Sequence, residues 1–380
     1  MTITTPPQRL LCGPGPSNVS PGALAAMQQP MLGHLDPDMH DILLEVVDLL
    51  RDAYRARGAG LVLPLQATGT SGMETGLAHL LEPGDVAIVA SCGFFGRRIA
   101  EIARRYGADV VEVEAPFGEV VSNERLLDAL DRYPHARLMA VVHAETSTGV
   151  RHPLAELGAA LRDREGETLL FADCVTSLGG VELDFDGFGI DYAYSCTQKC
   201  LGAPPGMSPL AVSERAMERV RARKIPVPYS LDLQLLEGFW VKRPVVYHHT
   251  APILHIYALR EVLREIALEG LENRWERHSN AGAYLQIELL ERGLELLADP
   301  DYQLAPLTAV RIPDGVDGKR VQTRLLREHG IEIGGGLGPG APPIWRLGLM
   351  GTNATIATAD QLLGALDEVL ADEPVLASAA

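Results

Sequence analysis

Between Val86 and Ala172 the chain alternates short unbroken apolar runs with stretches of helical spacing. Val86 to Ala90 is apolar throughout, which suits a strand buried on both faces. Gly96 to Tyr106 places Ile99, Ile102 and Ala103 on one side, the spacing of an amphipathic helix. Val110 to Val113 then reads as a strand, Asn123 to Tyr133 as a helix and Leu138 to Val142 as a strand. Leu154 to Leu161 reads as a helix and Leu169 to Ala172 as a further strand. Strict alternation with doubly buried strands predicts an α/β large domain with a mainly parallel sheet covered by helices.

After about Ile256 the pattern changes. A long helical tract runs from Ile256 to Arg292, with a break expected at Gly270. Thr308 to Ile312 and Ile331 to Ile333 are strand-like, and Gly318 to His329 and Ala359 to Leu370 helical. This predicts a smaller C-terminal α+β domain. Pro6 to Pro21 is rich in Pro and Gly and reads as an extended arm. The expected division is therefore an arm over 1–20, a large domain over 21–260 and a small domain over 261–380.

Composition narrows the function. The 380 residues are 47% hydrophobic and carry a formal net charge of −17. The size supports two cores, and the charge repels nucleic acid and anionic membrane surfaces. No run approaches the ~18 apolar residues of a membrane span. Met1 to Arg9 lacks the order of a signal peptide and Ala379-Ala380 matches no address tag, so a cytoplasmic protein is expected. The five cysteines (Cys12, Cys92, Cys174, Cys196 and Cys200) are odd in number and lack a metal-site spacing. Free buried thiols are expected, and no metal.

The chemistry concentrates in two segments. Phe171-Ala172-Asp173-Cys174-Val175-Thr176-Ser177 places an acid directly after an apolar strand. Open parallel sheets bind ligands beyond the carboxyl ends of their strands. Ser195-Cys196-Thr197-Gln198-Lys199 follows the apolar stretch Tyr192 to Tyr194 and leads into the tight turn Gly202-Ala203-Pro204-Pro205-Gly206. A lysine amine that forms an imine, and a carboxylate that keeps a pyridine nitrogen protonated, are the pair that pyridoxal 5′-phosphate (PLP) requires. Taken alone, Asp173 is as readily a turn or cap residue, and Lys199 a solvated one. Ala67-Thr68-Gly69-Thr70-Ser71-Gly72, between the strand-like Leu61 to Leu65 and the helical Met73 to Leu81, offers helix-start N–H groups to a phosphate; a simple capped loop has the same appearance. Arg346, in the apolar Trp345-Arg346-Leu347-Gly348, needs an anion, either a substrate carboxylate or a structural acid. Gly336-Leu337-Gly338-Pro339-Gly340-Ala341 imitates a dinucleotide fingerprint, but Pro342 and Pro343 follow it. No helix can start there, and a loop at the rim of a site is expected instead.

In order and spacing these segments resemble the class V, fold-type I aminotransferases, of the alanine–glyoxylate and serine–pyruvate group. The markers run from Gly13-Pro14-Gly15-Pro16-Ser17-Asn18 through Leu81-Glu82-Pro83-Gly84-Asp85 and His143-Ala144-Glu145-Thr146-Ser147-Thr148-Gly149-Val150 to Gln198-Lys199 with Ala203-Pro204-Pro205-Gly206. They continue with Tyr247-His248-His249-Thr250 and Gly335-Gly336-Leu337-Gly338-Pro339. The resemblance implies a seven-stranded-type sheet and the cofactor PLP. Lys199 would hold it as a Schiff base and shuttle a proton, Asp173 would pair with the pyridine nitrogen, and Val175 and Phe95 would cover the two ring faces. Thr146 would bond the ring hydroxyl side, and Thr68, Gly69, Thr70 and Gln198 the phosphate. Tyr247 and Thr250 would reach the phosphate of a second subunit, implying a homodimer. Arg346 and Gly15 would face the substrate, Arg346 at its carboxylate. The family commonly has tryptophan where Phe95 stands and histidine where Thr70 stands, so both contacts differ here. Alanine or serine is the expected amino donor and glyoxylate or pyruvate the acceptor. Phosphonate or pyridoxamine transamination is the alternative. A desulfurase would need a mobile cysteine in the C-terminal half, and none lies beyond Cys200.

Overall fold

The computed structural model describes residues 5–164 and 166–371. The ends of the expected arm and small domain (1–4 and 372–380), including Ala379-Ala380, lie outside the described residues. Seven strands form the central sheet: β1 (Leu61–Leu65), β2 (Val86–Ser91), β3 (Asp109–Glu114), β4 (Leu138–Val142), β5 (Leu169–Asp173), β6 (Tyr192–Tyr194) and β7 (Ser208–Val212). Their spatial order is β1-β7-β6-β5-β4-β2-β3. β7 runs antiparallel to both its neighbours and the other pairs are parallel, so one reversed strand interrupts the expected parallel sheet. Every residue of β2, β4 and β5 is buried, as unbroken apolar runs require when helices cover both faces. At the edge, β3 is partly exposed and carries Asp109, Glu112 and Glu114.

The small domain has its own core. Its antiparallel strands β8 (Leu307–Arg311), β9 (Gly334–Gly335) and β10 (Ile344–Gly348) lie in the order β8-β10-β9. Trp345 and Leu347 of β10 enter a core with Leu285, Leu289, Leu362 and Leu366. Strand alternation then turns Arg346, between them, to the opposite face.

The expected border at 260 needs correction. It falls inside the helix Ile253–Glu269, whose Ile256, Leu259, Val262, Leu263 and Ile266 all belong to the large core. The changeover comes at Gly270, where φ is +83° and the next helix, Leu271–Glu291, begins. The arm is not independent either. Leu10–Leu11 pairs in parallel with Ile331–Glu332, and Cys12 packs into the small-domain core. Further on, Ser17 N–H donates to the Gln198 carbonyl at 2.9 Å and Ser17 Oγ to the Lys199 carbonyl at 2.8 Å. The arm thus ties the small domain to the lysine loop.

Candidate active site

The carboxyl ends of β1, β2, β4, β5 and β6 share one edge of the sheet. The segments after them carry Thr68 and Thr70, Phe95, Thr146, Asp173 and Val175, and Gln198 and Lys199, respectively. The expected parallel alternation places these residues at the ligand-binding edge of an open sheet.

Asp173 is the last residue of β5 and is 2% exposed. One carboxylate oxygen accepts from Val175 N–H at 2.9 Å, closing an Asx turn that ends the strand. The other accepts from Tyr194 Oη at 2.5 Å. Tyr194 stands directly beside it because the parallel register pairs Asp173 with Tyr194. Burial pushes the Asp173 carboxyl up to about 6, while the Tyr194 and Val175 hydrogen bonds oppose the rise. Among the described residues no cation forms an ion pair with it, so its acceptor face is left to a cationic partner.

Lys199 lies in a turn closed by Gly202 N–H on the Lys199 carbonyl at 3.0 Å, with φ +79° at Gly202. Its Nζ donates to the Pro14 carbonyl. A Cβ on Gly15, where φ is +108°, would lie 2.6 Å from both Lys199 Cδ and Nζ. The backbone angle therefore calls for glycine there, and a side chain would displace the lysine. Burial is the largest influence lowering the Lys199 amine, and the Arg346 charge adds to it. Gln198 leaves its side-chain oxygen buried without a partner, a polar group free for a ligand.

Arg346 is 7% exposed. Nε donates to the Gly335 carbonyl at 2.6 Å and Nη1 to the Thr146 carbonyl at 3.2 Å. No carboxylate lies within ion-pair reach of it among the described residues, which leaves the structural Arg–acid pair without support. Burial pulls the guanidinium down to about 10 and Glu145 opposes this. The Pro14 carbonyl takes the Lys199 amine, and the Pro14 ring lies against Gly334, the register partner of Arg346.

The phosphate-loop candidate is the start of the helix Gly69–Leu80, capped by Thr68 Oγ1 accepting from Ser71 N–H at 3.4 Å. A Cβ on Gly69 would lie 3.0 Å from Val175 Cγ2, so glycine allows the loop to close on Val175. Thr70 Oγ1 accepts from Arg98 Nη1 at 3.2 Å, and the Arg98 guanidinium lies 5.1 Å from the Phe95 ring centre. The Gly336–Ala341 segment is irregular, as expected. Pro339 O accepts from Arg97 at 3.3 Å, and Gly338 packs on Phe94, so the loop lies beside the helix that carries Phe95. Tyr247 and Thr250 are exposed and join nothing around Lys199 in this chain; the Tyr247 ring lies 5.5 Å from His34.

Sequence reasoning missed Tyr194, Arg98 and Glu145 as functional candidates. Tyr194 looked like strand filling, and Glu145 appeared only inside a motif. All five cysteines are buried, and burial raises their thiols, so none is a ready nucleophile. No set of three or more His, Cys, Asp or Glu among the described residues gathers for a metal. Nor is any described helix long and apolar enough to cross a membrane.

A buried acid lacking a cation, a buried guanidinium lacking an anion, a desolvated amine and an open helix start together suit a ligand with a protonatable ring, a phosphate and a carboxylate-bearing co-substrate. The known proteins that resemble the chain carry out that chemistry. The family described as aminotransferase class-V matches residues 30–353. The alanine–glyoxylate aminotransferase of Oryctolagus cuniculus is 39% identical over 368 residues, covering 96% of this chain and 93% of that protein. The crystal structure of an alanine–glyoxylate aminotransferase from Nostoc sp. superposes with a TM-score of 0.93 at 48% identity, covering 97% of each chain. A ureidoglycine–glyoxylate aminotransferase structure from Bacillus subtilis gives 0.94 at 36% identity, covering 98% of this chain and 95% of that one. The chain belongs to the class V aminotransferases and is a pyridoxal 5′-phosphate-dependent aminotransferase of their α/β fold.

Proposed function

We propose that this aminotransferase takes the amino group of a small monocarboxylic L-amino acid, alanine or serine, and passes it to glyoxylate or pyruvate. The observation that carries the reading is Arg346, a buried guanidinium with no carboxylate partner among the described residues, whose charge acts on Lys199. One such cation suits a substrate with one carboxylate. The alanine and glyoxylate named for the Oryctolagus cuniculus and Nostoc relatives agree with it.

Bound PLP supplies an electron sink for charge that develops at the amino acid α-carbon. Asp173 would hold the ring nitrogen protonated, its carboxylate fixed by the hydrogen bonds from Tyr194 Oη and Val175 N–H. Val175 and Phe95 would cover the ring faces, and Thr146 would meet the ring hydroxyl side. Thr68, Gly69, Thr70 and Gln198 would hold the phosphate. The lowered Lys199 amine takes the proton from the α-carbon and returns it later, with Gly15 leaving room for its swing. Arg346 fixes the substrate carboxylate so that the α-proton faces Nζ.

The working unit is a homodimer in which Tyr247 and Thr250 complete the partner's phosphate site. Support comes from the exposed apolar side chains around them: Met31, Leu35, Tyr229 and Val246 are 52–70% exposed. Mixed dimers of Lys199→Ala and Tyr247→Ala chains test this. Shared sites should restore activity that neither variant has alone, and no restoration would refute the sharing. The substrate reading is checked by steady-state rates over a matrix of donors and acceptors. Alanine or serine with glyoxylate or pyruvate should lead and show ping-pong kinetics. PLP-loaded protein that turns over none of them would defeat it.

A further inference from the structure

We infer that Glu145 is a positioning residue that places Phe95 over the cofactor, an inference that rests on the proposed role of Phe95. Glu145 is fully buried in the short hairpin after β4. Its four hydrogen-bond neighbours are all donors. Oε2 accepts from Phe95 N–H at 3.0 Å and Gly96 N–H at 3.4 Å. Oε1 accepts from Ser147 N–H at 3.0 Å and Ser147 Oγ at 2.7 Å. Ser147 Oγ in turn accepts from Phe94 N–H at 2.9 Å. The ionised carboxyl satisfies all four donors, whereas a proton on it could go only to Ser147 Oγ and would displace the bond that hydroxyl now donates. Burial pushes the group up, and these hydrogen bonds hold it back.

The helix it serves is Phe94–Arg105, whose N-cap Gly93 contributes no side-chain cap. A Cβ on Gly93 would lie 2.6 Å from Glu145 Cδ, so this glycine admits a carboxylate from another strand loop to the helix start. A remote acid thereby takes over the cap, where negative charge meets the positive end of the helix dipole. Phe95 is the second residue of that helix, and its own N–H is among those held. The next residue in the hairpin, Thr146, offers its carbonyl to Arg346. One buried carboxylate therefore fixes the cofactor-covering ring relative to the hairpin that also carries the Arg346 contact.

The test uses the full chain and PLP as the probe. Glu145→Gln presents an amide N–H2 to one pair of donors, so at least one side of the bridge is lost. The PLP dissociation constant should rise about tenfold, equivalent to about 1.4 kcal/mol. Amide hydrogen exchange over 93–97 should quicken in the same variant. Phe95→Ala should also weaken PLP, and Glu145→Gln should then add less than about twofold on top of it. Ser147→Ala, which removes one donor to the carboxylate and the acceptor of Phe94 N–H, should weaken PLP in the same direction, and it serves if Glu145→Gln does not fold. Folded Glu145→Gln or Ser147→Ala protein that binds PLP as the parent does, while Phe95→Ala binds it weakly, overturns the inference. If Phe95→Ala itself binds PLP normally, the Phe95 role beneath it is the part that fails.

Discussion

Arg346→Ala perturbs the group proposed to set substrate choice. Two of the five guanidinium N–H groups are spent on the Gly335 and Thr146 carbonyls. The Nη2 pair and one Nη1 hydrogen are left for a ligand. Two charge-assisted hydrogen bonds to a carboxylate, at about 1.5–3 kcal/mol each, amount to about 3–6 kcal/mol. At about 1.4 kcal/mol per decade, kcat/KM for alanine should fall by about 10² to 10⁴. Arg346→Lys keeps a positive charge without the planar fork and should fall between parent and alanine variant. The control is the single-turnover rate with ethylamine, which lacks the carboxylate and should change by less than about threefold. A thermal melt accompanies both, because the stranded carbonyls cost about 1–3 kcal/mol each in stability. Equal losses for alanine and ethylamine, or a loss below about fivefold for alanine, would refute the clamp.

Gly15→Ala forces a Cβ to within 2.6 Å of the Lys199 Cδ and Nζ at a φ of +108°. The lysine must move, so PLP absorbance at the lysine adduct should form more weakly and turnover should drop at least about tenfold; an unchanged PLP titration counts against it. His278 uses Nδ1 toward the Arg274 carbonyl at 2.8 Å and accepts Gly351 N–H on Nε2 at 3.1 Å, which only the neutral ring can do. Burial lowers it to about 3 from 6.5, so the unfolded chain binds a proton that the folded chain refuses as pH falls through that window. Its contribution is present above pH 6.5 and is lost on acidification at about 1.4 kcal/mol per pH unit. His278→Gln should be less stable at pH 7.5 but lose less on going to pH 5, read from denaturant midpoints. Parallel losses in parent and variant would show that the ring does not titrate this way.

Much of the architecture was legible because apolar runs need no partner to be recognised. β2, β4 and β5 are buried on both faces and read so from composition alone. Asp173 and Lys199 were legible because each follows such a run. The reversed strand β7 was not, since an apolar strand carries no mark of its direction. The domain border was misplaced because Ile253–Glu269 keeps one helical spacing across residue 260 while its buried side chains all join the large core. Tyr194 is 21 residues from Asp173 and meets it only through strand register. Glu145 caps a helix that begins about 50 residues earlier, so no local capping signature exists at Gly93. The hidden part of the site is thus the part made by long-range pairing.

That hidden layer explains a feature that stability alone would select against. Asp173 and Arg346 carry opposite charges and are both buried, yet no ion pair joins them among the described residues. Tyr194 and Val175 N–H tie the acid back against β6 and its own turn, and two carbonyls tie the guanidinium to the small domain and the hairpin. Their pKa values, pushed to about 6 and about 10 by burial, record the strain of standing alone. Neutral hydrogen-bond partners hold each charge in place without satisfying it, and holding unpaired charge is worthwhile only where a ligand brings the counter-charge. In the proposed function a protonated ring nitrogen would answer Asp173 and a carboxylate would answer Arg346. The cofactor would then answer one charge and the amino acid the other, so β5 and β10, which carry Asp173 and Arg346, would set how the two meet.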